Sequence, residues 1–198
     1  MDVALIDAGG ANLGSVRYAL ERLGVVARVV RDGAALAGAE RVVLPGVGAA
    51  APAMRALHAQ GFVEPLRALA VPLLGVCLGM QLLFDGSDEG DADGLGLLPG
   101  RVRRLAPGAG LRWPHMGWNA LQEITGDPLL DGIEEGDHAY FVHGYVAPAS
   151  EHTIASSDHG GRFPAVVRRG RALGAQFHPE RSSTTGARLL ENFLRWPA

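Results

Sequence analysis

The chain has one cysteine, Cys77, and it stands between Gly75 and Gly79 in LLGVCLGMQLLF, residues 73–84. An apolar run leads in and a helix-like run, Met80 to Phe84, leads away, so the thiol falls where one element ends and the next begins. G-x-C-x-G at a strand-to-helix turn is the thiol form of a nucleophile elbow. The nucleophile there sits in a strained backbone conformation, and flanking glycines remove side chains that would block the turn. A helix N-terminus favours thiolate over thiol, and the amide of Leu78 can point at an oxyanion formed on an attacked carbonyl. Most lone cysteines are small buried hydrophobes, but a core cysteine needs neither glycine.

A thiolate needs a proton partner. Of the seven histidines, His178 closes the run ALGAQF (172–177), which puts it at the C-terminal edge of a strand, as Cys77 is. Open α/β sheets gather their ligands at that edge. Glu180 follows across Pro179, whose ring limits the local backbone and can hold the carboxylate beside the imidazole, fixing its tautomer. LPGVG (44–48) also follows a strand, and its glycines can turn a backbone N–H toward a neighbouring strand tip as a second oxyanion donor. Cys, His and Glu so disposed spell acyl transfer without naming the acyl group. A further pattern, GGANLG (9–14) with Asp32 beyond it, approaches a dinucleotide-binding fingerprint. Ala11, however, stands where the middle glycine must admit a pyrophosphate, so a tight βα turn is the better reading.

These residues need a scaffold. VALID (3–7), ARVV (27–30), RVVLP (41–45) and VPLLGV (71–76) read as strands, alternating with helical runs at NLGSVRYALERLG, which Gly24 stops, and at 50–59 and 62–70. From Asp85 to Gly96 the acidic, glycine-rich stretch reads as a solvated surface loop. Beyond Gly100 come the strand-like runs RVRRL, HAYFVHGYV and HTIASS and a hairpin, PAVVRRGRALGAQF, turning at Gly170. TTGARLLENFLRW closes the chain as a helix with Ala187, Leu190, Phe193 and Leu194 on one face. The fold class is therefore α/β: three layers, a mostly parallel central sheet with helices on both faces, and an additional antiparallel, β-rich section in the second half. Residues 1–198 are expected to form a single domain.

Composition excludes several function classes. A formal net charge of −3 offers no electrostatic footprint for nucleic acid or an anionic membrane. MDVALIDAGG reads as a first strand and not as a signal peptide, and no apolar run approaches the length of a membrane span. One cysteine allows no internal disulfide and no CxxC metal site, which fits a reducing cytoplasm. Arg103–Arg104 and Arg168–Arg169 read as exposed hairpin charges, and Trp113 and Trp118 suit either core or interface.

GVCLGMQ, LPGVG and QFHPE together resemble the class I glutamine amidotransferases, whose triad hydrolyses the side-chain amide of glutamine and releases ammonia. More narrowly, LPGVG, PHMGWN (114–119), YFVHGY (140–145) and QFHPERS (176–182) resemble the glutaminase subunits of imidazole glycerol phosphate synthases, a family of histidine biosynthesis. The similarity runs from the ANLGSV turn to the GARLLENFL helix, nearly the whole chain.

The resemblance implies that Cys77 forms a γ-glutamyl thioester, that His178 is base and then acid, and that Glu180 orients it. Leu78 and Val47 would offer backbone N–H groups to the oxyanion, the latter after a peptide in LPGVG reorients. Gly48 and Gln81 match positions that hold glutamine, and Asn12 matches a loop residue that supports the oxyanion strand. The family usually carries a hydroxyl residue where this chain has Gly144. No cofactor and no metal are implied. The implied partner is a (β/α)8-barrel cyclase in a heterodimer, which takes the ammonia and makes imidazole glycerol phosphate and aminoimidazole carboxamide ribotide. Two rivals stay open on the residues alone: another cysteine hydrolase or chaperone-like protein, which would share the elbow, and a dinucleotide-binding module built on GGANLG.

Overall fold

In the first half of the chain, buried residues alternate between two cores, as strands covered on both faces require. Val3 and Leu5 face one core, and Ala4 and Ile6 the other; Val43 opposes Val42 and Leu44, and Leu74 and Val76 oppose Leu73. The computed structural model describes residues 1–9, 13–106 and 108–196. Within them the first half runs β1 (Val3–Ile6), α1 (Leu13–Arg22), β2 (Arg28–Val30), β3 (Arg41–Gly46), α2 (Ala50–Ala59), α3 (Val63–Arg67), β4 (Leu73–Cys77) and α4 (Leu78–Gln81). The second half adds β5 (Phe84–Ser87), β6 (Ala92–Asp93), β7 (Leu98–Arg104), β8 (His115–Ala120), β9 (His138–His143), β10 (Tyr145–Val146), β11 (Thr153–Asp158), β12 (Arg162–Arg169), β13 (Ala172–Ala175) and α5 (Ser183–Arg195).

Seven of these strands form one sheet in the order β11-β12-β13-β4-β3-β1-β2. The five from β13 to β2 are parallel, and β11 and β12 extend the edge antiparallel. One face carries α1 and α5 through Val16, Leu20, Leu189 and Phe193. The other carries α2 and α3 through Met54, Leu57 and Leu66, and beside them a small sheet in the order β10-β7-β5-β6. The layered, mostly parallel sheet and the antiparallel section expected from the sequence are both present. The β12–β13 hairpin turns at Gly170, at φ 57°, and Gly24, at φ 81°, follows the last turn of α1.

The structure corrects four readings. The run from Met80 to Phe84 is not a helix: α4 is a single turn, and Phe84 opens β5. Residues 82–84 are all buried, and a short apolar run has no periodicity by which helix and strand can be told apart. The acidic stretch is not all surface loop, because β5 and β6 pair within it while Ser87 and Leu95 are buried. On α5 the buried face is Leu189, Leu190, Phe193 and Leu194, and Ala187 is exposed. Gly186 lies on that face because a Cβ there would stand 2.0 Å from the Pro179 carbonyl oxygen. Arg168 is not a free hairpin charge: it pairs with the buried Asp127 carboxylate and lies over the Trp196 ring. No described helix is long and apolar enough to cross a membrane.

Candidate active site

The C-terminal ends of β3, β4 and β13 lie side by side, with Gly46 opposite Cys77 and Val76 opposite Ala175. Cys77 holds φ 54° and ψ −112°, a left-handed conformation that costs a non-glycine residue about 1–3 kcal/mol. The glycines around it explain how the turn is possible. A Cβ on Gly79 would stand 1.8 Å from the Leu44 carbonyl oxygen, one on Gly75 2.6 Å from the Gly79 carbonyl oxygen, and one on Gly46 2.6 Å from the Gly79 nitrogen. The elbow thus closes only because three glycines from two adjacent strands and one helical turn meet backbone to backbone. Since α4 has one turn, its dipole adds little to the thiol's surroundings.

The Cys77 Sγ lies 3.6 Å from the Val142 carbonyl oxygen and 3.9 Å from Gln176 Nε2. His178 is buried and donates from Nδ1 to Glu180 Oε1 at 2.9 Å, which leaves Nε2 as the ring nitrogen available to Cys77 in the cleft they share. Burial disfavours the charged imidazole, but the Cys77 and Glu180 hydrogen bonds and charges outweigh it and push the His178 pKa up to about 10. The loop is anchored at several points. The His178 amide donates to the Tyr140 carbonyl, and the fully buried Ser182 hydroxyl donates to the His178 carbonyl while accepting from the Tyr140 amide.

Cys77 and His178 line one cleft of about 260 Å³ with Val47, Gly48, Leu78 and Gln81. Every site residue singled out in the sequence except two lines this cleft. Glu180 lies behind His178, out of the cleft, bordering a small cavity that Pro45, Val76 and Val16 also line. Asn12 falls outside the described residues, as do Gly10 and Ala11. Asp32, read as part of a dinucleotide pattern, caps a short 3-10 turn by accepting from the Ala35 amide at 2.9 Å. The cleft is smaller than the roughly 300–1,000 Å³ of sites for drug-sized ligands, and suits an amino acid better than a nucleotide.

The family model for class-I glutamine amidotransferases matches residues 4–196. The chain belongs to the class-I glutamine amidotransferase family. It is 67% identical over 193 residues to "Imidazole glycerol phosphate synthase subunit HisH" of Xanthomonas euvesicatoria, with 98% of this chain and 96% of the relative covered. To the protein of the same name in Xylella fastidiosa it is 61% identical over 197 residues, covering 100% of this chain and 98% of the relative. A solved structure described as a glutamine amidotransferase superposes with a TM-score of 0.77 at 25% identity, covering 98% of each chain.

The cleft also holds polar groups that the motifs did not reveal. Glu89, in the stretch read as solvated, is half-buried in the cleft wall and accepts from the Ala50 amide at 2.9 Å. Its signal was hidden by the other acidic residues, two of which, Asp88 and Asp91, do face outward to pair with Arg101. His143 and Tyr145 also line the cleft. Gly144 has a steric reason: a Cβ there would lie 2.6 Å from Trp113 Cζ2, and the same indole donates to the Gly144 carbonyl at 3.0 Å. Trp113 fills the space a hydroxyl residue would use, with the Arg104 guanidinium 4.3 Å over its ring.

Proposed function

We propose that this chain is the glutaminase half of an imidazole glycerol phosphate synthase. It hydrolyses glutamine to glutamate and ammonia with Cys77, His178 and Glu180, and passes the ammonia to a cyclase subunit. The observation that carries the reading is the strained Cys77 at the elbow, sharing a cleft the size of an amino acid with a His178 that Glu180 orients. The names carried by relatives at 67% and 61% identity over nearly the full chain support the choice of synthase.

In this mechanism the Cys77 sulfur attacks the side-chain carbonyl carbon of glutamine while His178 holds the proton. The tetrahedral oxyanion is met by the Leu78 amide and, after a peptide in the Val47–Gly48 loop turns, by that of Val47. Gly48 sits at φ 88°, where glycine alone moves freely, so the loop is suited to such a turn. The C–N bond breaks as His178 gives its proton to the leaving nitrogen, releasing ammonia and leaving a γ-glutamyl thioester. Water, deprotonated by the now neutral His178, attacks the thioester and frees glutamate and the thiolate. Gln81 and Gly48 hold the substrate, and Glu89 faces its ammonium group. Asn12 supports the oxyanion loop.

The partner is a (β/α)8-barrel cyclase that makes imidazole glycerol phosphate and aminoimidazole carboxamide ribotide, and the single domain of residues 1–198 acts in the cytoplasm as part of that heterodimer. Met116 and Trp118, 65% and 53% exposed on one face of β8, support a docking surface next to the cleft. A glutamine-mimicking electrophile tests the reading. Mass spectrometry should find one adduct per chain on Cys77, suppressed by excess glutamine; an unmodified Cys77, or labelling indifferent to glutamine, would refute it.

A further inference from the structure

Gln81 has its orientation set from behind. Its amide nitrogen spends both hydrogens, one on the Tyr145 carbonyl at 2.9 Å and one on Gln176 Oε1 at 2.9 Å, which leaves its own oxygen as the acceptor. The Tyr145 carbonyl accepts a second hydrogen bond, from His143 Nδ1 at 3.0 Å. Because a carbonyl only accepts, His143 must carry its proton on Nδ1. Its Nε2 lies 3.0 Å from His115 Nδ1, and His115 Nε2 lies 3.3 Å from Asn119 Nδ2. The Asn119 amide is itself fixed, since its oxygen accepts from the Ala120 amide and its nitrogen donates to the Asp158 carbonyl.

Only one assignment of protons satisfies every pair. Asn119 donates to His115 Nε2, His115 Nδ1–H donates to His143 Nε2, and His143 Nδ1–H donates to Tyr145. Both rings are then neutral. They are 3% and 5% exposed, among Phe141, Phe163 and His159, the last stacked on His115 at 4.2 Å. Burial first, and then the neighbouring histidines, depress the pKa of His115 to about 4 and of His143 to about 3, the latter despite its bond to Tyr145. A polar chain this deep in a core is costly unless every member is paired, and here each is. His143 lines the cleft but is not one of the groups that do the chemistry described above.

We propose that His143 and His115 are positioning residues for glutamine: a neutral, singly oriented histidine pair that pins the Tyr145 carbonyl and through it fixes the Gln81 amide toward the substrate. This rests on the reading that Gln81 holds glutamine. The pair also ties that amide to β8, the strand whose outer face carries Met116 and Trp118.

Two measurements decide it, one on the full chain and one on its complex with the cyclase. Long-range proton–nitrogen spectra of the ¹⁵N-labelled protein should show His143 and His115 as Nδ1–H tautomers that do not titrate between about pH 5.5 and 8. An Nε2–H tautomer at either, or a titration in that window, overturns the proposal. The spectrum answers for the pair whether or not the chain hydrolyses glutamine, so it separates this inference from the proposed activity. In the complex with the cyclase, His143→Leu should raise KM for glutamine about tenfold with kcat within about threefold of wild type. His143→Asn, which keeps a donor at the Nδ1 position, should restore most of that KM. A wild-type KM in His143→Leu overturns the assignment. So does a His143→Asn variant that melts like wild type yet keeps the high KM.

Discussion

Replacing Gly79 with alanine is the sharpest test of how the elbow is built, because two effects of opposite sign compete there. In an ordinary helical turn the change stabilises, by up to about 1 kcal/mol, through backbone entropy and helix propensity. Here the added Cβ would lie 1.8 Å from the Leu44 carbonyl oxygen, against the 3.0 Å below which a neighbour must move. The obstacle is backbone in β3, paired on both sides by β1 and β4, so more than 1 Å of displacement has to be absorbed by the centre of the sheet. Overpacking of this kind costs about 3 kcal/mol at the upper end of its usual range. The clash therefore wins by about 2 kcal/mol, which for a chain of this size lowers Tm by about 4–8 °C. Calorimetry of Gly79→Ala should show that fall, and alkylation of Cys77 should slow as the elbow opens. A Tm equal to or above wild type would refute the account of the three facing glycines.

Two further outcomes follow from the geometry. The His178 pKa stands near 10 against 6.5 for a free imidazole, so the charged ring adds stability that is complete below about pH 6.5 and disappears as pH climbs through about 10. Histidine NMR should find it still charged at pH 8, and Glu180→Gln should lower its titration; a wild-type midpoint near 6.5 would count against the pairing. Arg41 is buried and donates to the carbonyls of Phe193 and Trp196 at the end of α5. Arg41→Met, which leaves those carbonyls without their charged donor, should cost about 2–3 kcal/mol and speed hydrogen exchange in the last turn of α5; unchanged exchange would show that the latch is idle.

The parts of the site that the sequence revealed are those fixed by local backbone demands. G-x-C-x-G, LPGVG and HPE each occupy a strand end, and the glycines that admit the close approaches are visible as residue types. What stayed hidden depends on long-range packing. Glu89 differs from Asp88 only in that β5 and β6 fold it toward the cleft, and the His115–His143 pair exists only because β8 and β9 are antiparallel with those residues opposite each other. The helix expected from Met80 to Phe84 failed for a related reason: its apolar residues serve the junction with β7, where Phe84 pairs with Leu98, and a single turn of helix suffices to place Gln81. Gly144 was legible as a departure, while its cause, the Trp113 ring, lies far away in sequence.

The central claim is that Cys77 releases ammonia from glutamine for a partner to use. It is tested most directly by measuring ammonia release by the purified chain, alone and with a cognate cyclase and its nucleotide ligand, for wild type and Cys77→Ala. The account predicts release that appears with the partner and vanishes in the variant. Release that persists in Cys77→Ala, or none from the wild-type complex, would contradict it.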